Sequence, residues 1–184
     1  NDATGAKITG VTYNGVAMTL IDKVTPPATN DRWLYLFCLI NPATGTNNVV
    51  VSASSSIVIA GNSASYTGAN QSGQPDATNK GTATSATSIT RSLTTVADNC
   101  WTFMAGKGSS GNMSAGSGTT MRTTENNDLA IFDSNGAITP AGSTSLIMNS
   151  SVSTNFVAVM ASFSPATGGG APTTTPRMTL LGAG

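Results

Sequence analysis

The sequence predicts an all-β protein, and three observations lead to that prediction. Runs of β-branched and aromatic residues alternate with clusters rich in Gly, Asn and Pro, so that turn signals recur about every 8 to 12 residues. No segment carries apolar residues at the i, i+3, i+4 and i+7 positions of an amphipathic helix over three turns. Asn-Gly dipeptides, which favour the type I′ turn of a β-hairpin, occur at 14–15 and 135–136. Many short strands favour a two-sheet antiparallel jelly-roll β-sandwich.

The segment 8–53 is predicted to form two consecutive hairpins. The first reverses at Asn14-Gly15. The second begins with the strand 33–40, the most apolar run in the chain, and reverses at 41–45, where proline presets φ and glycine supplies a left-handed residue. Because it is so apolar, the strand 33–40 is expected in the middle of a sheet.

The rest of the domain is predicted as further strands separated by two long polar loops. The loops are 68–87 and 106–118, which are rich in small and polar residues. A third hairpin is expected to reverse at Asn135-Gly136. The predicted strands are 57–60, 63–67, 88–96, 100–106, 119–124, the two arms 129–133 and 137–139 of this hairpin, 145–150 and 155–163.

The C-terminal part of the chain differs from the rest in composition. We expect a β-sandwich domain over 1–165, a Gly/Pro/Thr linker over 166–176 and a short apolar tail strand over 177–184. The tail could return to its own sheet as an edge strand, or pair with the open edge of a neighbouring subunit. The candidate assembly residues are Arg177, Met178, Thr179, Leu180 and Leu181 in the tail, with Ile8 and Val11 in the first strand.

The charge content limits the partners of the protein. Charged residues make up 9 % of the chain, against about 25 % in a typical soluble domain, and eight acidic residues balance eight basic ones. Such a surface suits a secreted β protein or a subunit that packs against copies of itself, and the two interpretations are compatible. The basic residues are scattered, which argues against nucleic-acid binding.

No apolar run is long enough for a transmembrane helix. The chain begins at Asn1 rather than Met, so we expect that an upstream piece was removed or is not included.

The residues required by common catalytic sites are missing. The chain has no histidine, which excludes Ser-His-Asp and Cys-His catalysis, and its two cysteines cannot form a Cys₄ zinc site. It also lacks a P-loop and a G-x-S-x-G motif. Paired carboxylates could serve glycoside hydrolysis, but most acidic residues lie at predicted turns. The sequence therefore predicts a protein that is not an enzyme and carries no cofactor.

A few residues are candidates for metal binding or cross-linking. Glu125, Asp128 and Asp133 could supply oxygen ligands for calcium, although their spacing does not match an EF-hand loop and ordinary turn chemistry also explains them. Cys38 and Cys100 lie in apolar strand-like runs, so they are expected to be buried, either as free thiols or as a disulfide.

The aromatic residues allow two interpretations. They would stack on sugars if exposed, but aromatic residues in strands usually belong to the core. Those considered are Tyr13, Trp33, Tyr35, Tyr66 and Trp101.

Four stretches together resemble a family of jelly-roll, concanavalin-like β-sandwich domains found in bacteriophage structural proteins and bacterial surface proteins. They are VTYNGVAMTL (11–20), LINPATGTNNVVVS (39–52), SASYTGANQ (63–71) and FVAVMASFSP (156–165). The resemblance implies a non-enzymatic role in building virions or appendages or in attachment, and it carries no catalytic residues. Family members usually have one or two strands before the first hairpin. Here only seven residues precede it, so either this chain is a processed fragment or a neighbour supplies the missing strand, with the apolar tail as a candidate donor.

The first functional hypothesis is therefore a homo-oligomeric structural subunit of a virion or an extracellular filament. It would assemble through β-edges and the C-terminal tail, in some cases with other virion or surface proteins. The alternative is a carbohydrate-binding or host-attachment module that recognises glycans through the loops 68–87 and 106–118, because binding residues often lie on loops held by a rigid scaffold. Both hypotheses place the protein outside the cell or in a virion.

Overall fold

A computed structural model describes residues 7–25, 33–166 and 173–175, and these residues form strands and no helix. All strand pairs are antiparallel, which confirms the predicted all-β class. The strands are β1 (Ile8–Tyr13), β2 (Val16–Ala17), β3 (Thr19–Val24), β4 (Leu34–Cys38), β5 (Val49–Ala53), β6 (Ser65–Thr67), β7 (Ala77–Thr94), β8 (Trp101–Gly108), β9 (Met113–Ala115), β10 (Thr120–Glu125), β11 (Leu129–Asp133), β12 (Ser143–Phe163) and β13 (Thr173–Thr175).

The largest sheet has the strand order β10-β11-β8-β12-β7, and β9 also pairs with β12. Strand β12 pairs with β7 from Ser143↔Thr94 to Ser162↔Ala77. On its other side, β12 pairs with β9 in its first half and with β8 in its second half. The two predicted strands 145–150 and 155–163 are therefore parts of one long strand.

The paired strands β7 and β12 bend back over themselves. Residues eleven positions apart in a straight strand would be roughly 36 Å apart. Yet Arg91 Nη1 donates a hydrogen bond of 3.2 Å to the carbonyl oxygen of Lys80 in the same strand. The bend in β7 coincides with Ser85, whose φ is +49°, and β12 has register shifts between Asn149 and Phe156. The two ends of this long ladder therefore lie in separate layers.

The space between these layers holds the first of two apolar cores. Phe132, Met104 and Phe156 are fully buried in it together with Leu146 and Met148 from the other layer. Gly106 allows the close approach, because a Cβ at this position would lie 2.7 Å from the Met148 sulfur. The bent ladder thus buries one face of the central strands.

The second core covers the opposite face of the same strands. Leu34 and Leu36 of β4 and Val24 of β3 pack against Phe103 and Val159 and their neighbours. The central strands are therefore apolar on both faces, which explains why β11 and the second half of β12 read as continuous apolar runs.

The pairing predicted for the second hairpin is wrong. Strand β4 pairs with β3, whereas β5 pairs with β1 in a small sheet of order β2-β1-β5. The expected central position of 33–40 is also wrong, since among the described residues β4 belongs to a two-stranded sheet. The physical reason is alternation: Leu34 and Leu36 face the second core, so β4 covers the large sheet instead of joining it.

The structure also corrects the two predicted loops. Strand β7 begins at Ala77, inside the predicted loop 68–87, and β8 and β9 occupy part of 106–118. Most residues between 77 and 88 have exposed side chains, so this strand is defined by backbone pairing with β12 and carries no apolar pattern. Residues 57–60 form no strand. The third predicted hairpin is wrong: β11 pairs with β10 and β8, and after the bend at Asn135-Gly136 only Ile138 pairs, in an isolated bridge with Cys100. The physical reason is that Asn135 has positive φ but Gly136 does not, so no type I′ turn forms.

The described part of the C-terminal region contains one short strand, β13. Strand β13 lies within the predicted linker 166–176 and pairs with β6, from Thr173↔Thr67 to Thr175↔Ser65. The candidate tail 177–184, with its assembly residues, lies outside the described residues.

Candidate functional site

The outer edge of β5 is the candidate functional site. Within the described part of the chain, β5 pairs with β1 and with no second strand. Hydrogen-bonded and non-hydrogen-bonded pairs alternate along an antiparallel ladder. Asn14 N donates to Asn48 O at 3.0 Å, which makes 14–48 a hydrogen-bonded pair. By alternation Thr12 and Val50 form the next one, so the N–H and C=O groups of Val49 and Val51 point to the open side.

The side chains around this edge are apolar and uncharged. Val50 of β5 is 54 % exposed, as is Val16 of β2 at the opposite edge of the sheet. None of the three strands β1, β2 and β5 contains a charged residue. Natural edge strands are usually protected from pairing by lysine, proline, a bulge or a covering segment. The only register irregularity in this sheet lies in the β1–β5 ladder at Ile8/Gly10, away from the exposed valines.

The structure places the predicted assembly residues of the first strand away from this edge. Strand β1 is the middle strand of its sheet, where Val11 is buried and Ile8 is half-buried. No sequence signal marked β5 as the edge as long as this strand was predicted to pair with 33–40. The absence of charge from 49–53 is the feature that could have indicated it.

A shallow hollow of about 370 Å³ lies at one end of the same small sheet. It is formed by the Asn14-Gly15 turn and by the segment 46–50. Tyr13 organises this segment: its hydroxyl lies 3.3 Å from the carbonyl oxygens of Ala43 and Gly45, and it accepts a hydrogen bond of 3.3 Å from Asn47 Nδ2.

A buried polar cluster connects the central sheet to β6. The Asp133 carboxylate is fully buried and accepts hydrogen bonds from Arg122 Nε at 2.6 Å and from the Tyr66 hydroxyl at 3.2 Å. The backbone N–H of Asn135 binds the other carboxylate oxygen at 2.8 Å. Burial, and after it the neighbouring Asp133 charge, raises the pKa of Tyr66 well above its usual value, and the hydrogen bond to Asp133 raises the pKa of Arg122.

This raised pKa predicts a loss of stability in alkali that depends on Tyr66. Since the folded-state pKa of Tyr66 lies above the unfolded value of 10.0, its stabilising contribution is complete below about pH 10 and is lost as the pH rises towards the folded pKa. Within that window, we expect the free energy of unfolding of the wild type to fall by up to about 1.4 kcal/mol per pH unit more than that of Tyr66→Phe. Urea unfolding of both proteins at pH 9 and pH 11 checks this, and equal slopes would contradict it.

The predicted calcium ligands do not come together. Asp133 binds Arg122, and Asp128 forms an ion pair of 2.5 Å with Lys107. Glu125 and Asp133 lie at opposite ends of the β10–β11 pair, roughly 13 Å apart along the strand. In the parts of the chain that the structure describes, no group of three or more His, Cys, Asp or Glu side chains could hold a metal ion.

Both cysteines are free thiols in the structure, so the disulfide that the sequence allows is not formed in it. Burial raises the pKa of both thiols. The Cys100 sulfur lies 3.5 Å from Asp76 Oδ2. A raised pKa and a neighbouring carboxylate both disfavour the reactive thiolate.

The aromatic residues divide between the core and an outer row. Trp101 is buried and contacts Tyr66 at a ring-centroid distance of 5.8 Å. Trp33, Tyr35 and Phe37 form a row of nearly parallel rings along β4, each half-buried, with centroids 6.3 and 6.5 Å apart. The backbone N–H of Lys7 donates to the Tyr35 hydroxyl at 3.0 Å. The row therefore meets the beginning of β1 and connects the small sheet to the β3–β4 pair.

Across residues 7–25, 33–166 and 173–175, no helix is long and apolar enough to span a membrane. No protein-family description, curated protein or solved structure matches this chain.

Proposed function

We propose that this protein is a non-enzymatic structural subunit that assembles with copies of itself by pairing through the outer edge of β5. The host structure would be a virion component or an extracellular filament, and the bent sheet with its covering strands would form a jelly-roll sandwich of the kind that the sequence resembles.

The observation that carries the proposal is the outer edge of β5, which is uncharged and to which no second strand among the described residues pairs. The outward N–H and C=O groups of Val49 and Val51 form a ready template for another strand, as in β-strand addition. The exposed side chain of Val50 would lose contact with water when a second copy approaches this edge.

The overall charge of the chain supports a second copy as the partner. Eight acidic and eight basic side chains give a formal net charge of zero. Copies of the protein therefore have little net repulsion to overcome. In the large sheet, by contrast, the edge strand β7 carries Lys80 and Arg91, and the Arg91 side chain lies across Gly81. Its edge is protected by charge in the way that β5 is not.

Replacing Val51 with proline is expected to abolish assembly while preserving the fold. Proline removes the outward N–H of the edge strand, but the inward bonds to β1 come from Val50 and Ser52 and remain. Sedimentation velocity over a wide concentration range should show oligomers for the wild type and monomers for Val51→Pro. A melting temperature near that of the wild type shows that the variant is folded.

The matched control is Val58→Pro, which places the same residue at a valine that is 84 % exposed and outside any strand. We expect this variant to assemble as the wild type does. Oligomers that persist in Val51→Pro, or a wild type that stays monomeric at every concentration, would contradict the proposal.

A further inference from the structure

We propose that the hollow between the Asn14-Gly15 turn and the segment 46–50 is a binding site for a neutral saccharide. This site adjoins the β5 edge and shares Val50 with it, but its chemistry comes from side chains, whereas that of the edge comes from the backbone. It lies outside 68–87 and 106–118, the loops predicted to carry recognition, parts of which form strands in the structure.

The lining has the donor and acceptor composition that a sugar requires, and it has no charge. Each asparagine amide offers two N–H donors and one carbonyl acceptor, and each threonine hydroxyl can both donate and accept a hydrogen bond. Adjacent sugar hydroxyls, which also donate and accept, can pair with such groups, and the exposed Val50 side chain offers an apolar contact for the C–H face of a ring. The lining residues are Thr12, Asn14, Gly15, Thr46, Asn47, Asn48 and Val50.

The hollow is held in shape before any ligand arrives. Asn14 has φ +50° and Gly15 has φ +77°, as a type I′ turn requires, and the turn is joined to the opposite wall by the Asn14 N to Asn48 O bond of 3.0 Å. Asn47 Nδ2 donates to both the Tyr13 hydroxyl and the Thr44 carbonyl oxygen. A preformed site avoids the entropy of ordering loops on binding.

Two of the amides are available to a ligand. Asn47 is engaged in holding the loop, whereas the side chains of Asn14 and Asn48 are exposed and make no hydrogen bond to other described residues. These two side chains can therefore replace hydrogen bonds to water with hydrogen bonds to a ligand, without losing a hydrogen bond within the protein.

The same lining disfavours the other common ligand classes. A phosphate or sulfate group would need a cationic side chain to balance its charge, and a metal ion would need carboxylates. The lining contains neither. An uncharged, hydroxyl-rich ligand is the class that remains.

The test uses an array of neutral, sialylated and sulfated oligosaccharides, followed by isothermal titration with the strongest neutral hit. We expect neutral glycans to bind and Asn48→Ala to weaken that binding at least tenfold, because the hydrogen bonds of one exposed amide are lost. The matched control is Asn79→Ala, which removes an exposed asparagine of β7 that lies outside the hollow. It should bind as the wild type does.

The sedimentation profile of Asn48→Ala should equal that of the wild type, which separates saccharide binding from assembly. Binding of neutral glycans that Asn48→Ala and a second variant, Thr46→Ala, both leave unchanged would overturn the assignment. So would an array on which only acidic glycans, or none, are bound.

Discussion

Replacing Arg122 with alanine is expected to destabilise the protein by about 3–5 kcal/mol, as is usual when one partner of a buried ion pair is removed. The Asp133 carboxylate has no exposed surface, and Arg122 Nε lies 2.6 Å from it. Without the guanidinium, the buried negative charge keeps only neutral donors from Tyr66 and Asn135. Urea unfolding at neutral pH measures the change.

The matched control for this prediction is an exposed ion pair in the same protein. Lys80 Nζ also lies 2.6 Å from a carboxylate oxygen, that of Asp22, but the two side chains are 49 % and 25 % exposed. Lys80→Ala should cost no more than about 1 kcal/mol, because solvent screens this pair. In the Arg122→Ala background, Asp133→Asn should recover part of the lost stability because it removes the uncompensated charge. Equal effects of Arg122→Ala and Lys80→Ala would contradict the account of the buried cluster.

Replacing Phe156 with alanine is expected to cost about 3–5 kcal/mol, the range for a fully buried phenylalanine. Phe156 follows the bend of β12 and is fully buried in the core between the two layers. Its loss leaves a cavity where the bent ladder closes on the central strands. Thermal or urea unfolding measures the effect.

Phe163→Ala tests whether the position in the layers, and not the residue type, sets this cost. Phe163 is at the end of β12, is only partly buried and packs at the margin of the second core. We expect it to cost clearly less than Phe156→Ala. If the two variants were equally destabilised, the core between the layers would not be the main source of stability.

The sequence predicted the parts of the fold that depend on local residue chemistry. The turn at Asn14-Gly15 was predicted because few residues other than Asn and Gly adopt positive φ easily, and it is confirmed. The strands 119–124 and 129–133 were predicted from β-forming residues and agree with β10 and β11 within one residue.

The sequence failed where long-range pairing decides the structure. Strand β4 was predicted to pair with β5 because a turn lies between them. In the structure, β4 pairs with β3 and β5 pairs with β1. Strand β7 was predicted as a loop over its first half because most side chains there are polar and exposed, and the backbone of this half pairs with β12, more than 60 positions away in the chain. The candidate edge on β5 was missed for the same reason, since an edge is defined by a partner that is absent.

Amide hydrogen exchange of β5 tests the central claim most directly. We predict that the amides of Val49 and Val51 exchange rapidly in dilute protein and become protected at concentrations where the protein assembles. The amide of Val50, which bonds inward to Thr12, serves as the internal reference and should be protected under both conditions. Rapid exchange at Val49 and Val51 in the assembled protein would show that the copies do not join through this edge.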